Sequence, residues 1–279
     1  MRGKSGPMSA CRKSDLRHPH HTTKTICRKS DLPPYYGDMR VEEHGVGSIM
    51  HIVKRGARGA DIVLDDDDRH RFLKSLRYLN DEYRDDQWLR NTTTAFPDRP
   101  SHWPEQKPLV SILGWTLMPN HFHLLLSEVQ EGGIATFMQR LGGSMTLCFN
   151  AKYHEQGSLF QGGYKGKLVD QDAYLRHLVF YILVKNVLEL YPGGLKSALK
   201  NFDHAWKWAL SYPYSSLRTC ALGETSTIVD KEMLEDLGLF NVVSRTYDKA
   251  AFKREAKAML LHYVKSHDDN FSALLLEKW

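Results

Sequence analysis

The sequence lacks the marks of several large protein classes. Its 279 residues hold only four cysteines (Cys11, Cys27, Cys148 and Cys220), too far apart for zinc or dithiol spacing, so a reducing, cytoplasmic setting is the simplest expectation. No apolar run approaches the ~20 residues of a membrane-spanning helix, so no membrane partner is expected. The basic N-terminus is not followed by an apolar stretch and does not read as a secretory leader. What remains is ordinary: 42% hydrophobic and 25% charged residues, enough chain and apolar content for a sizeable globular core.

A net charge of +5 invites a nucleic-acid reading, but its distribution weakens that argument. Residues 1–30 carry eight Lys and Arg against Asp15 alone, which leaves the rest of the chain at −2. Residues 1–34 lack hydrophobic periodicity and are rich in Ser, Thr, His, Pro, Arg and Lys, so they read as a disordered basic tail. Within it the hexamer CRKSDL occurs at 11–16 and again at 27–32, too short a unit to bury a core. The tail reads more simply as an unselected extension than as a nucleic-acid-attracting arm, and Cys11, Cys27, His18, His20 and His21 match no zinc spacing.

Structure is expected from about Gly47. Ser48–Val53 is β-prone and runs into a Gly/Arg loop, KRGARG. Ile62–Leu64 is a second short apolar run. Asp65–Asp68 then fits the capped, dipole-favoured start of a helix over Arg69–Tyr83 better than a cation site. Residues 85–108, with four prolines, read as an irregular insertion. Strands are expected at Leu109–Leu117 and His121–Ser127, a helix at Ile134–Tyr153, and a loop and strand at Leu159–Val169. A long helix follows over Asp170–Leu190, ended by Pro192-Gly193-Gly194. This order points to an α+β layer with an antiparallel sheet. Lys231–Leu239 and Lys249–Lys265 suggest a helical C-terminal extension over 219–279.

The chemistry-bearing residues come from two of these elements. In a strand, His121 and His123 leave the same face while Phe122 faces the opposite one, and two adjacent imidazoles can hold a divalent metal. The alternative is a pair of histidines making ordinary hydrogen bonds. On the 170–190 helix, Tyr174, Leu178, Tyr181 and Lys185 share a face at steps of three and four. A tyrosine near its ordinary pKa of about 10 attacks poorly at neutral pH, and a metal-polarised phosphate would help it. A core aromatic is the other reading of Tyr181.

Taken together, RGARGADIVLDDDDRHRFL, GWTLMPNHFHLLL, GSLFQGGYKGKLVDQDAYLRHLVFYI and YPYSSLR resemble the single-tyrosine HUH transposases of insertion-sequence type. The resemblance is closest to the REP-associated tyrosine transposases. It spans Ser48 to Arg218 and defines a catalytic domain over 47–218. It implies a ferredoxin-like antiparallel sheet carrying His121 and His123 as ligands of Mg²⁺ or Mn²⁺, with Tyr181 as the nucleophile on a helix packed beside it. Tyr174 is the weaker nucleophile candidate. The implied activity is metal-assisted cleavage and rejoining of single-stranded DNA beside a hairpin, through a 5′-phosphotyrosine. It needs no ATP, and no phosphate-binding Gly loop ending in Lys-Ser/Thr is present.

One departure from relatives stands out. They carry Tyr-Ile-x-x-Asn-Pro-Val, whereas this chain has Tyr181-Ile182-Leu183-Val184-Lys185-Asn186-Val187. A protonated Lys185 cannot ligate a cation, so either Asn186 swings in, water fills the site, or Lys185 contacts DNA phosphate instead. Lys54, Arg55, Arg58, Lys165 and Lys167 are further candidates for DNA phosphate contacts, and plain solvated charge is the alternative for each. Trp115 reads as core. Trp206 and Trp208 are open between core and base stacking. The implied partner is single-stranded or hairpin DNA, with the site completed in cis or by a homodimer partner. Two other functions stay in view: a domesticated hairpin-DNA-binding protein with weakened catalysis, and a metal-dependent hydrolase unrelated to DNA.

Overall fold

The structure, a computed structural model, describes residues 41–92, 96–238, 242–243 and 246–266. The basic tail expected over 1–34 lies outside these residues.

The β-prone run becomes β1 (Ile49–Arg55), and the two further strand expectations become β2 (Val110–Leu117) and β3 (His121–Glu128). The fourth strand, β4, is Lys165–Leu168. The sheet order is β2-β3-β1-β4, and every neighbouring pair is antiparallel. Helix α1 (Asp66–Tyr78) connects β1 to β2, and α3 (Gly133–Tyr153) connects β3 to β4. This is the split β-α-β arrangement of a ferredoxin-like α+β domain.

Helix α1 starts where the aspartates sit. Asp65 accepts from the Asp68 amide at 3.1 Å, and the Asp68 carboxylate accepts in return from the Asp65 amide at 3.4 Å, a reciprocal capping box. Lys152 and Tyr153, at the end of α3, close on the same carboxylates: Lys152 Nζ lies 2.6 Å from Asp65, and the Tyr153 hydroxyl donates to Asp68 at 2.7 Å. The Ile62–Leu64 run is no strand. The Ile62 amide donates to the Pro119 carbonyl at 2.8 Å, which ties this segment to the β2–β3 turn. Within the expected irregular insertion lies one short helix, α2 (Trp88–Asn91), and Trp88 and Trp103 cluster there on Tyr78.

The two faces of the sheet differ. Phe122, Leu124 and Leu126 point towards α1 and α3, where Phe72 lies 5.1 Å from the Phe122 ring centroid and Phe137 and Leu141 are fully buried. The opposite face carries His121, His123, Leu125 and Ser127. There α4 (Asp172–Phe180), a wide π-helical turn (Tyr181–Lys185) and α5 (Asn186–Glu189) lie across it. The expected single helix over 170–190 is thus interrupted: the Asn186 amide donates to the Tyr181 carbonyl, five residues back. Thr116 on β2 donates its hydroxyl to the Ile182 carbonyl at 2.6 Å, a side chain reaching into the widened turn. Strand β2 is itself irregular, with a bulge between Ile112 and Gly114, and Gly114 sits beneath Leu183.

The C-terminal part packs on this core. Helices α6 (Gly194–Lys200), α7 (Phe202–Ser211) and α8 (Leu217–Leu222) follow the π turn. Between α7 and α8, the first five residues of YPYSSLR, 212–216, line the outer edge of β2: the Leu117 amide donates to the Tyr214 carbonyl, and the Ser216 amide to the Trp115 carbonyl, both at 2.9 Å. That covers an edge which would otherwise display unpaired backbone groups. Asp230 caps α9 (Lys231–Asp236), accepts from the Ser111 hydroxyl at 2.7 Å and donates its amide to the Ile112 carbonyl at the bulge. A short ladder of β5 (Val242–Val243) and β6 (Thr246–Tyr247) precedes α10 (Lys249–Ser266), and Phe252 of α10 packs 5.0 Å from Phe180. Trp115 and Trp206 are core residues; Trp208 is half-buried against Tyr212.

Candidate active site

His121 opens β3 directly after the Pro119-Asn120 turn. Its Nδ1 donates to Asn120 Oδ1 at 2.6 Å, so in the neutral ring the lone pair sits on Nε2. The turn is held by the Gly56 amide, which donates to the Asn120 carbonyl at 2.8 Å, and by Asn120 Nδ2, which donates to the Gly59 carbonyl at 3.2 Å.

His123, two residues on, points the same way but is buried, opposite Val53 of β1 and Thr116 of β2. The two imidazoles lie with centroids 5.0 Å apart. Tyr181, at the start of the wide turn, meets the His123 ring edge-on at 5.6 Å. The three residues named from the sequence therefore converge, two from one strand and one from the helix above it.

A third histidine, His51 of β1, completes the cluster and was not singled out from the sequence. Its Nε2 shares a 3.0 Å hydrogen bond with His123 Nδ1, and its ring stands 6.2 Å from Tyr181. His51 is a lone polar residue in an apolar run, and its partner lies 72 residues away, so only the β1–β3 register brings the pair together. Burial, followed by the charge of Lys167, pulls the His51 pKa down to about 3. Burial also drives His123 well below the usual histidine range, aided by His51, His121 and Lys185. Both rings are neutral at ordinary pH, the form in which imidazole binds metals.

The fit to a divalent cation rests on these nitrogens. His123 Nε2 is buried without a hydrogen-bond partner, and the Asn120 bond leaves the His121 lone pair on Nε2. Among the described residues no group of three His, Cys, Asp or Glu has metal-site geometry, so a cation held by these two histidines would need its further ligands from another residue type or from water. Asn186 is wholly buried, with neither Oδ1 nor Nδ2 hydrogen-bonded. Lys185, only 6% exposed, donates to Glu189 at 2.9 Å and places its Nζ 5.0 Å above the Tyr181 ring and 5.4 Å above that of Tyr263. It is committed inside the protein instead of being displayed for phosphate.

The candidate phosphate contacts divide by face. Arg55 stands opposite His121 in the β1–β3 ladder, and Lys165 and Lys167 of β4 stand opposite Val53 and His51, so all three share the histidine face. Arg58 is exposed in the loop with a left-handed φ of 56°. Lys54 points the other way, beneath α3, donating to the Gly162 carbonyl at 2.9 Å with its ammonium 4.8 Å over Phe160. Tyr174, the weaker nucleophile candidate, is half-buried beneath the Lys167 ammonium at 5.7 Å, and burial pushes its pKa up to about 12.

Residues 101–184, somewhat under a third of the chain, match the family model described as "Transposase IS200 like". The matched span includes His121, His123 and Tyr181, so the transposase resemblance seen in the sequence is borne out. No curated protein matches the chain. Among solved structures, a REP-associated tyrosine transposase bound to a REP hairpin aligns with a TM-score of 0.38 and 16% identity, over 68% of this chain and 92% of that one. So low a likeness transfers no residue role.

Proposed function

We propose that this chain acts as an IS200-like transposase, cutting and rejoining single-stranded DNA beside a hairpin through a covalent bond to Tyr181. The observation that carries the reading is the meeting of His121, His123 and Tyr181 on one face of the sheet, within the span that the family model matches.

His121 and His123 would hold Mg²⁺ or Mn²⁺, with the Asn186 oxygen or water as further ligand. A cation bound there supplies Lewis acidity towards the scissile phosphate and a template for its orientation. The protein's own part is to position groups. Tyr181 Oη attacks phosphorus and loses its proton, the O–P bond to tyrosine forms, and the bond from phosphorus to the 3′-oxygen breaks. That oxygen takes up a proton and leaves as a 3′-hydroxyl. The reverse exchange, with a 3′-hydroxyl attacking and the phenol leaving, rejoins the strand. One phosphodiester is traded for another, so no nucleotide cofactor is consumed. Arg55, Lys165 and Lys167 flank the histidines and would meet the backbone phosphates.

A second reading, a hairpin-DNA-binding protein with weakened catalysis, is favoured by one observation. Tyr181 is only 2% exposed, and Lys185 above it is paired internally, so DNA gains the phenol only after local opening. Hairpin DNA with a single-stranded flank, incubated with the protein and Mn²⁺, distinguishes the two. A gel-stable protein–DNA adduct is expected for the wild type, and none for Tyr181→Phe or His121→Ala. Binding without an adduct supports the second reading. An adduct that persists in Tyr181→Phe refutes the nucleophile assignment.

A further inference from the structure

The second ring nitrogen of each candidate ligand has a partner of its own, and the two partners are unlike. At His121 it is an amide oxygen, which can only accept and so settles where the proton sits. At His123 it is His51 Nε2, which can accept or donate.

We propose that His51 is a positioning residue: it accepts the Nδ1 proton of His123 and thereby keeps the His123 Nε2 lone pair turned to the cation site. The inference rests on the cation reading above and adds a residue that touches neither DNA nor cation. The two rings lie within 14° of parallel, so donor and lone pair can align in a common plane along the 3.0 Å contact. His51 is fixed along the strand on both sides, opposite Leu125 in β3 and Lys167 in β4, and is wholly buried, so bulk water does not compete for the bond.

Both outer nitrogens, His51 Nδ1 and His123 Nε2, are buried and unpartnered. If His51 donated instead, His123 would turn an N–H towards the place where a cation has to sit. Metal-bound histidines ordinarily give their other N–H to a carboxylate, a carbonyl or water, an arrangement that fixes the tautomer. Here a neutral imidazole takes that place, matching the amide oxygen at His121.

The test uses the full-length, metal-free protein. Long-range ¹H–¹⁵N spectra are expected to show His123 with its proton on Nδ1. In Mn²⁺ titrations followed by electron paramagnetic resonance, His51→Phe is expected to weaken binding by about 10–100-fold. His51→Gln, whose side-chain oxygen can accept the same proton, is expected to stay near the wild type. A His123 proton on Nε2, unchanged Mn²⁺ binding in His51→Phe, or equal losses in both variants overturns the positioning role and leaves the cation reading standing. A wild type that binds no Mn²⁺ overturns both. Should the variants fail to fold, the wild-type spectrum alone decides the tautomer.

Discussion

The two faces of one strand, β3, obey different rules. Towards α1 and α3, Phe122, Leu124 and Leu126 enter a dry layer in which shape and apolar area decide everything. Towards the wide turn, His123 is just as buried, but its neighbours are His51, Thr116 and Tyr181, and their polar atoms need partners. The first face stabilises the domain. The second carries a stability cost, because buried polar groups are tolerated only when paired or when held ready for a ligand. Alternating residues of a single strand thus meet two different demands.

This contrast can be broken most severely at Phe122. Phe122→Ala leaves both flanking histidines in place but empties a fully buried aromatic site, and is expected to cost about 3–5 kcal/mol, read as a lower urea midpoint. The histidine face should show itself through pH. His51 falls from an unfolded value of 6.5 to about 3 in the fold, so its neutral burial contributes stability fully above pH 6.5. That contribution is lost as pH drops towards 3, at about 1.4 kcal/mol for each tenfold difference in proton affinity between the unfolded and folded chain. Urea midpoints at pH 7, 5.5 and 4.5 are therefore expected to fall less steeply in His51→Phe than in the wild type, whereas Leu141→Ala on the dry face should lower all three and keep the slope. The smallest effect is expected at Thr116→Val. It removes the hydroxyl that meets the Ile182 carbonyl, for a loss of about 1–3 kcal/mol. A larger share of that loss should appear as faster amide exchange within Tyr181–Lys185 than elsewhere in the sheet.

The same contrast explains what could be read from sequence. Short β-prone apolar runs located β1, β2 and β3 to within a residue or two, and the aspartates marked the start of α1, because both signals are local. His121, His123 and Tyr181 were legible through spacing together with a family pattern. His51 was not, since nothing near Ser48–Val53 announces a partner in another strand. Helices α6 and α7 were missed although Leu195, Ala198, Leu199, Phe202, Trp206 and Ala209 carry the helical period. The π turn left no trace in composition, since the apolar content of Phe180 through Val187 is the same for a regular and a widened helix; the bulged β2 and the Thr116 hydroxyl that meet it come from another strand.

That wide turn has a further consequence for chain length. A π turn holds one residue more than the α-helical turn it replaces, and each residue advances an α-helix by about 100°. It therefore works as a phase shifter: Tyr174 and Leu178 upstream belong to one helical register, while Asn186 and Val187 downstream belong to another. A chain with the same two helix faces but a regular helix between them would have to be one residue shorter between Phe180 and Asn186. The wide turn at Tyr181 is thus recorded as a count of residues: deleting one residue there would remove the widening and leave the two flanking helix faces in phase.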